Sequence, residues 1–161
     1  MSVNTSSTPD GRGVLIYNGE MILLYTEQVN CHFEDGPDNI FRGNKSGNLY
    51  LTSHRVIFIN RKNDSLRSFS MPFHCMKDVK LEQPVFGANF LKGIAVAQPG
   101  GEYFVNFKPR HICWMKPYNL HELILGNWNG EVTWKLTFSK GGCIDFGMAL
   151  LRAVDMGLLL L

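Results

Sequence analysis

The chain has 161 residues, of which 45% are hydrophobic and 19% are charged, as is typical of one soluble globular domain. Its formal net charge of +2, with no basic run longer than Arg61-Lys62, excludes a strongly basic surface, so no direct nucleic-acid binding is expected. Residues 1–10 lack the basic start and apolar stretch of a secretory signal, which predicts a location in the cytoplasm and nucleus.

Apolar runs separated by turn residues predict a succession of β-strands. Residues 1–12 precede these runs and are predicted to be a disordered N-terminus. The runs at 49–51 and 56–59 form either two strands or one long strand with a bend. In chain order, the candidate strand segments lie at 21–25, 29–33, 49–51, 56–59, 66–71, 79–82, 90–97, 132–138 and 143–146. Seven or eight strands are expected from these segments.

The last part of the chain predicts one amphipathic helix. Arg152 and Asp155 lie on one side of its helical wheel. They interrupt the apolar run at 148–161, which is too short to span a bilayer, and they leave 158–161 as an apolar tail. Strands followed by one helix predict a mainly β barrel or sandwich that the helix caps at one end. On the other side of the wheel, apolar residues recur every four positions: Phe146, Leu150, Val154 and Leu158.

Four motifs in a fixed order resemble one known family. They are YLTxxRVIF at 50–58, SFxMPF at 68–73, QPVFGANxxKG at 83–93 and GGxIxFG at 141–147. This order is similar to that of the GRAM domain in the family of WW domain-binding protein 2 and the postacrosomal sheath WW domain-binding protein. The resemblance implies a single GRAM domain at 13–157, with a fold similar to that of pleckstrin-homology domains and about seven strands.

Residues 102–126 are predicted to be an insertion into this domain, because the relatives continue almost directly from the glycines at 100–101 to Trp128. The segment is long and far more apolar than an exposed loop normally is. One interpretation is a short helix capped by Asn119 that packs on the barrel. Another is translated intron sequence, since Gly101-Glu102-Tyr103 is what a splice-donor junction would encode. The chain would then be an aberrant isoform with impaired folding.

No motif in the sequence indicates catalysis. Nucleophile-elbow, P-loop, zincin and dinucleotide-binding patterns are absent. Three histidines, His32, His74 and His111, lie beside or near cysteines, but a zinc site normally offers paired ligands at close spacing. We therefore expect no enzyme activity, no catalytic or metal-binding residue and no cofactor. The cysteines are widely spaced, lack any CxxC pair and are expected to be reduced thiols: Cys31, Cys75, Cys113 and Cys143.

Five cations within a stretch of strands and turns are candidates for binding. On a small barrel they could converge on an anionic headgroup or on a partner. The alternative is solvated charge that protects a strand edge from pairing. Arg55 differs from the others because it lies inside an apolar run, where its guanidinium needs a partner or a path to water. The five are Lys45, Arg55, Arg61, Lys62 and Arg67.

The loop at 83–89 is a second candidate. Pro84 removes a backbone donor at its start, and the loop carries the large apolar side chains of Phe86 and Phe90. Packing of these aromatic rings in the core is the favoured interpretation, since buried aromatics dominate small cores. The alternative is a docking loop for a protein partner.

The resemblance implies a non-enzymatic intracellular interaction module of adaptor or transcriptional coactivator assemblies, which reaches chromatin only through its partners. In the family, PPxY motifs in proline-rich tails bind WW domains. No PPxY motif occurs in this sequence, so WW domains are not expected as partners of these residues. The alternative function is a peripheral membrane module that binds acidic phosphoinositides through the five cations.

Overall fold

The computed structural model describes residues 1–36, 39–62, 64–97 and 130–158, with side chains described to residue 156. Within these ranges the chain forms eight antiparallel strands and one long helix. The strands are β1 (Ser2–Val3), β2 (Ile22–Glu34), β3 (Lys45–Thr52), β4 (Arg55–Asn60), β5 (Ser68–Pro72), β6 (Met76–Glu82), β7 (Phe90–Val96) and β8 (Glu131–Phe138), and the helix is α1 (Cys143–Leu158). Two short 3-10 helices lie at Asn39–Phe41 and Phe73–Cys75.

All eight strands belong to one sheet, in the order β1-β5-β4-β3-β2-β8-β7-β6. The sheet has two edges and is therefore not closed. We call β1, β5, β4 and β3 the first half, and β8, β7 and β6 the second half; β2 lies between them. The prediction of a mainly β fold followed by one C-terminal helix is confirmed, in the form of an open sheet.

A single strand, β2, replaces the two strands that were predicted at 21–25 and 29–33. The polar residues at 26–28 do not form a turn between strands. Instead, the pairing of β2 with β3 shifts register between Thr26 and Val29, and Gln28 has a positive φ of 55°. This irregularity is the signature of a β-bulge, which bends a strand without ending its pairing.

The core is built by alternation along the strands and by one face of α1. In β8, Val132, Trp134, Leu136 and Phe138 are buried while the residues between them are partly exposed or exposed. The predicted apolar face of the helix is confirmed for its described side chains, since Phe146, Leu150 and Val154 are all buried. The rings of Phe138 and Phe146 lie 5.7 Å apart.

The strand predicted at 143–146 is wrong, because these residues form the first turn of α1. Gly141 and Gly142 both have positive φ, 80° and 82°, a conformation that most side chains disfavour. The chain therefore turns sharply after β8 and enters the helix directly. Asp145 in the first turn interacts favourably with the positive end of the helix dipole.

Residues 1–20 pack against the first half, which differs from the disorder predicted for 1–12. β1 pairs with β5, with Ser2 opposite Ser70 and Val3 opposite Phe69, and Met1 and Val3 are buried. Polar residues of this segment add specific hydrogen bonds: Asn4 Nδ2 donates to the carbonyl of Ser65, and the backbone N–H of Ser6 donates to Ser68 Oγ. The predicted limits of the domain at 13–157 stay a prediction, and the insertion predicted at 102–126 lies outside the described residues, as do residues 159–161 of the predicted tail.

Candidate functional site

The structure separates the five predicted cations into two buried residues and three exposed ones. Arg55 and Lys45 are almost fully buried, and each makes an ion pair with a carboxylate. Arg61, Lys62 and Arg67 are exposed. The five side chains therefore do not form one binding site.

Arg55 is held in a buried polar network on the face of β4 that points away from the core. Its Nε donates to Glu20 Oε1 at 2.8 Å and its Nη2 donates to Glu20 Oε2 at 2.9 Å. Its Nη1 donates to the hydroxyl oxygens of Ser6 and Ser70, and its guanidinium lies 4.0 Å from the ring centroid of Tyr17. Such a bidentate pair satisfies a buried guanidinium, so Arg55 stabilises the fold and is not available to a ligand.

Glu20 is the matching anion. Burial raises the pKa of its carboxyl, but hydrogen bonds from Arg55 and Thr52 outweigh that effect and hold the pKa below its ordinary value. Thr52 Oγ1 donates to Glu20 Oε1 at 2.6 Å, and the backbone N–H of Tyr17 donates to Oε2 at 2.8 Å. The pair fastens the segment before β2 to β4. Sequence reasoning identified the need of Arg55 for a partner but did not identify Glu20.

Lys45 plays a similar structural part at the other end of β4. Its Nζ lies 3.0 Å from Asp64 Oδ2. Burial raises the pKa of the Asp64 carboxyl, but hydrogen bonds from Lys45 and from the backbone N–H of Leu66 outweigh that effect and hold the pKa below its ordinary value. Asn60 also donates to Asp64. The pair therefore orders the turn between β4 and β5.

The three exposed cations lie close together and line an open cavity of about 290 Å³. Asp10, Gly11 and Asn60 complete its wall. Among the described contacts, Arg61 reaches only a distant carboxylate, Glu27 at 3.8 Å. We call Arg61, Lys62 and Arg67 the β4–β5 cation cluster; it is the part of the predicted anion site that the structure brings together.

The loop at 83–89 connects β6 to β7 and projects into solvent. Phe86 is 92% exposed, so the favoured prediction that it packs in the core is wrong. Glu82 and Phe90 are paired across the hairpin, which places the residues between them beyond the sheet, and Gly87 turns the chain with a φ of 113°. Pro84 is exposed as well, whereas Phe90 is half-buried beneath Lys135, whose Nζ lies 4.0 Å from the ring centroid.

A third surface was not predicted from the sequence. Between Ile22 and Gln28, β2 pairs with β3 on one side, and no strand of the described ranges pairs with it on the other. The sequence signal for it is a run of five consecutive apolar residues at 21–25, where alternation would have supplied polar ones. We call the surface the β2 patch. It comprises the five apolar side chains at 21–25, which are 37% to 62% exposed. Three more exposed apolar side chains lie in the segment before it: Leu15, Ile16 and Tyr17.

The described thiols lie in positions that do not favour nucleophilic chemistry. Cys31, Cys75 and Cys143 are buried, and burial raises the pKa of Cys31 and Cys143, which disfavours the reactive thiolate. No group of three or more His, Cys, Asp or Glu side chains within the described ranges could hold a metal ion. Cys113 and His111 lie outside those ranges. None of the described helices is both long and apolar enough to cross a membrane.

Residues 16–112 match the GRAM domain family. The chain belongs to the GRAM domain family. It is 38% identical to WW domain-binding protein 2 of Mus musculus and 38% identical to the postacrosomal sheath WW domain-binding protein of Macaca fascicularis, each over 96% of this chain. The alignments cover 50% and 52% of those relatives, so this GRAM chain spans about half the length of the curated relatives it matches.

The fold of this GRAM domain is similar to that of a pleckstrin-homology domain. The N-terminal PH domain of Vps36 superposes with a TM-score of 0.60 at 16% sequence identity, covering 99% of this chain and 95% of that chain. The predicted family and the predicted PH-like architecture are therefore both confirmed.

Proposed function

We propose that this chain is a non-enzymatic interaction module that acts in adaptor or transcriptional coactivator assemblies, in the cytoplasm and the nucleus. The observation that carries the proposal is the β2 patch. Exposed apolar side chains that follow one another along an ordered strand, as Ile22 to Tyr25 do, are unusual on a protein that acts alone, and they commonly mark a contact with another protein.

Two properties make the β2 patch suitable for a protein partner. Leu24, opposite Leu51, and Tyr25, opposite Tyr50, extend from opposite faces of the strand, and both are exposed, as is Leu23. In addition, no strand of the described ranges pairs with the second side of β2 between Ile22 and Glu27, so the backbone N–H and C=O groups there are arranged as at the edge of a sheet that takes up an added strand. A partner can therefore bury apolar side chains and pair with the backbone at once.

The relatives support the same class of function. Two of them are named as WW domain-binding proteins, which describes protein recognition by those proteins. No PPxY motif occurs in these 161 residues, so the contacts proposed here are made by the surface of the GRAM domain itself, and chromatin is reached only through partners.

The proposal is tested by comparing two variants that change equal numbers of exposed apolar residues. Met21→Ser with Leu23→Ser alters the β2 patch, and Ile144→Ser with Met148→Ser alters exposed positions of α1, where each residue is 46% exposed. Proteins crosslinked to the chain in cells are quantified by mass spectrometry, and transcription is read from a reporter to which the chain is tethered. We expect the patch variant to lose partners and reporter output while the α1 variant keeps both.

Equal partner sets and equal reporter output for the wild type and the patch variant would contradict the proposal. Circular dichroism spectra of the purified variants show whether any loss comes from unfolding instead.

The β4–β5 cation cluster favours a second candidate function, binding of acidic phosphoinositides. Three cations around one open cavity are suited to a phosphorylated headgroup. Sedimentation with phosphatidylinositol bisphosphate vesicles should then show binding that weakens as ionic strength rises. Arg61→Gln with Lys62→Gln should reduce it, whereas Lys77→Gln with Lys140→Gln, which removes two exposed cations elsewhere, should not. Binding that is absent or insensitive to salt would rule this candidate out.

A further inference from the structure

A row of cations crosses the outer face of the second half, the face that points away from the core. Strand register places Lys80 directly opposite Lys92, and Lys92 directly opposite Lys135. Lys135 in turn lies opposite His32 of β2. Residues directly opposite each other in a sheet share a face, so these four side chains form one line across four adjacent strands. We call this line the basic row.

The basic row is unfavourable for the isolated fold. Like charges placed directly opposite each other in a sheet are destabilising, and here two such lysine pairs follow one another. The neighbouring lines of the same face are mixed in charge, and each contains one carboxylate: Lys77, Ile94, Thr133 and Glu34 form one line, and Glu82, Phe90, Thr137 and Asn30 form the other.

The carboxylates on this face neutralise only part of the positive charge. Glu82 pairs with Lys92 at 2.9 Å, and Glu131 pairs with Lys77 at 3.0 Å. Within the part of the chain that the structure describes, Lys80 and Lys135 have no ion pair. Two lysines of the row are thus available for carboxylates supplied from outside.

The hairpin that carries Lys80 and Lys92 ends in an exposed apolar tip. Lys135 covers the ring of Phe90, and Phe90 begins the strand that follows the loop tip of Val85 and Phe86, each 92% exposed. Cations and a projecting aromatic residue on the same hairpin can supply both charge and apolar contact to one partner. Aromatic residues with this exposure are frequent anchors of protein interfaces.

We propose that the basic row and the Val85-Phe86 tip bind an acidic peptide segment of a partner protein, with an apolar side chain of that segment against Phe86. This inference rests on the proposed role as an interaction module and specifies the chemistry of one partner. Adjacent strands are about 4.8 Å apart, and residues three or four positions apart on a helix have Cβ atoms about 5–6 Å apart. An acidic helix that lies across the strands therefore meets successive lysines.

The charges that flank the row favour a peptide over a nucleic acid or a lipid surface. Glu34 and Glu82 lie in the lines on either side of the row, where they would repel a continuous series of phosphates. A peptide with isolated carboxylates and neutral residues between them avoids these positions. Its apolar residues also match Phe86, which a phosphate backbone does not.

The test uses the full chain and a fluorescein-labelled helical peptide of glutamate and leucine, with glutamine in place of glutamate in the control peptide. Binding is measured by fluorescence anisotropy over a range of salt concentrations. The triple variant Lys80→Gln, Lys92→Gln and Lys135→Gln should bind about tenfold more weakly than the wild type. The triple variant Arg61→Gln, Lys62→Gln and Arg67→Gln, which loses the same charge, should bind as the wild type does.

Two further variants separate contact from net charge and folding. The combined variant Lys80→Arg, Lys92→Arg and Lys135→Arg should keep salt-sensitive binding, and Phe86→Ser should weaken binding without changing its salt dependence. Equal losses in the two glutamine variants would overturn the inference, as would equal affinity for the glutamine peptide. Tighter binding of single-stranded RNA or of phosphoinositide vesicles to the basic row than of the peptide would overturn it too.

Failure of this inference is distinguishable from failure of the proposed function. The row variants leave Met21 and Leu23 unchanged, so capture of partners in cells still reports on the β2 patch. If the wild type does not bind the peptide but still captures partners in cells through the β2 patch, only the inference of an acidic partner fails. If the capture of partners does not depend on the β2 patch, the proposed function itself fails.

Discussion

The outer faces of the two halves of the sheet belong to one set of hydrogen-bonded strands but differ in what covers them. In the first half, all six residues of β4 are buried, and the segment before β2 makes hydrogen bonds with Arg55 on the face of β4 that points away from the core. In the second half, β7 and β8 alternate between buried residues and partly exposed or exposed ones, and their outer face carries the basic row.

This difference separates a face closed by a buried ion pair from a face that carries exposed like charges. Ile57 and Ile59 lie on the same side of β4 as Arg55 and are buried, and the Arg55–Glu20 pair fastens the segment before β2 to this side of β4 as a cover. The residues of the basic row are exposed or partly exposed in the described structure, and Glu82 offsets the repulsion between the lysines only in part. A buried ion pair therefore stabilises one outer face, whereas the other carries a row of like charges.

The largest effect is expected from breaking the buried pair of the first half. Glu20→Gln keeps the shape of the side chain but leaves the Arg55 guanidinium uncompensated in the interior, so the free energy of unfolding should fall by about 3–5 kcal/mol. Urea denaturation followed by tryptophan fluorescence measures the change.

A control and a double variant complete that test. Lys77→Gln breaks an exposed pair of the second half and should cost less than about 1 kcal/mol. Glu20→Gln combined with Arg55→Met removes both charges and should be more stable than Glu20→Gln alone. If Glu20→Gln is no more harmful than Lys77→Gln, the pair does not hold the cover in place.

The next largest effect is expected in the second half, from core packing. A Cβ atom at Gly93 would lie 2.6 Å from Cζ2 of Trp134, and a buried indole cannot move without disturbing its neighbours. Gly93→Ala should therefore destabilise the fold by about 1–3 kcal/mol, measured by the same denaturation. Thr137→Ala, a change at a half-exposed outer position, should stay within about 0.5 kcal/mol. Equal stability of Gly93→Ala and the wild type would show that the contact is looser than the structure has it.

A smaller effect is expected from pH, and it should come mainly from the first half. The pKa values of Glu20 and Asp64 are lowered in the folded protein. Their contribution is fully present above the ordinary carboxyl pKa and is lost as pH falls through the lowered pKa of each group. Asp64→Asn should therefore reduce the loss of unfolding free energy on acidification. Denaturation curves across the acid range measure how the free energy of unfolding changes with pH. If Asp64→Asn leaves this pH dependence unchanged, other groups cause the acid sensitivity.

The smallest effect is expected at the basic row. Lys92→Thr removes the central cation, which relieves repulsion from Lys80 and Lys135 but also breaks the exposed pair with Glu82. The free energy of unfolding should stay within about 0.5 kcal/mol of the wild type or rise slightly. Thermal melting compares the two, with Lys140→Thr as a control of equal charge change. A clear destabilisation specific to Lys92→Thr would mean that the row supports the fold.

Much of the architecture could be predicted because it follows from local patterns. Alternation gave the strands at 90–97 and 132–138, and a four-residue period gave the buried face of α1. Predictions failed where two local patterns compete. The polar residues at 26–28 resemble a turn but form a bulge, and Cys143 to Phe146 resembles a strand but follows two glycines that turn the chain into a helix.

The candidate surfaces were harder to predict because they depend on contacts distant in sequence. Arg55 and Glu20 are 35 positions apart, so the sequence indicated only that Arg55 needed a partner. The exposure of Phe86 depends on the pairing of Glu82 with Phe90, which sets the direction of the loop. The basic row exists only through strand register, since Lys80, Lys92 and Lys135 form no cluster along the chain.

The bulged strand β2 also determines how the two halves respond to a ligand. Val29, Asn30 and Cys31 are the positions at which β2 pairs with β3 and β8 at the same time. Separation of either half from β2 would leave one side of β2 without its backbone hydrogen-bond partners at these positions. Both halves are therefore expected to melt in one cooperative transition. A partner that binds the native state at either outer face then shifts the whole of that transition by mass action. Occupancy of one face therefore raises the melting temperature of both halves.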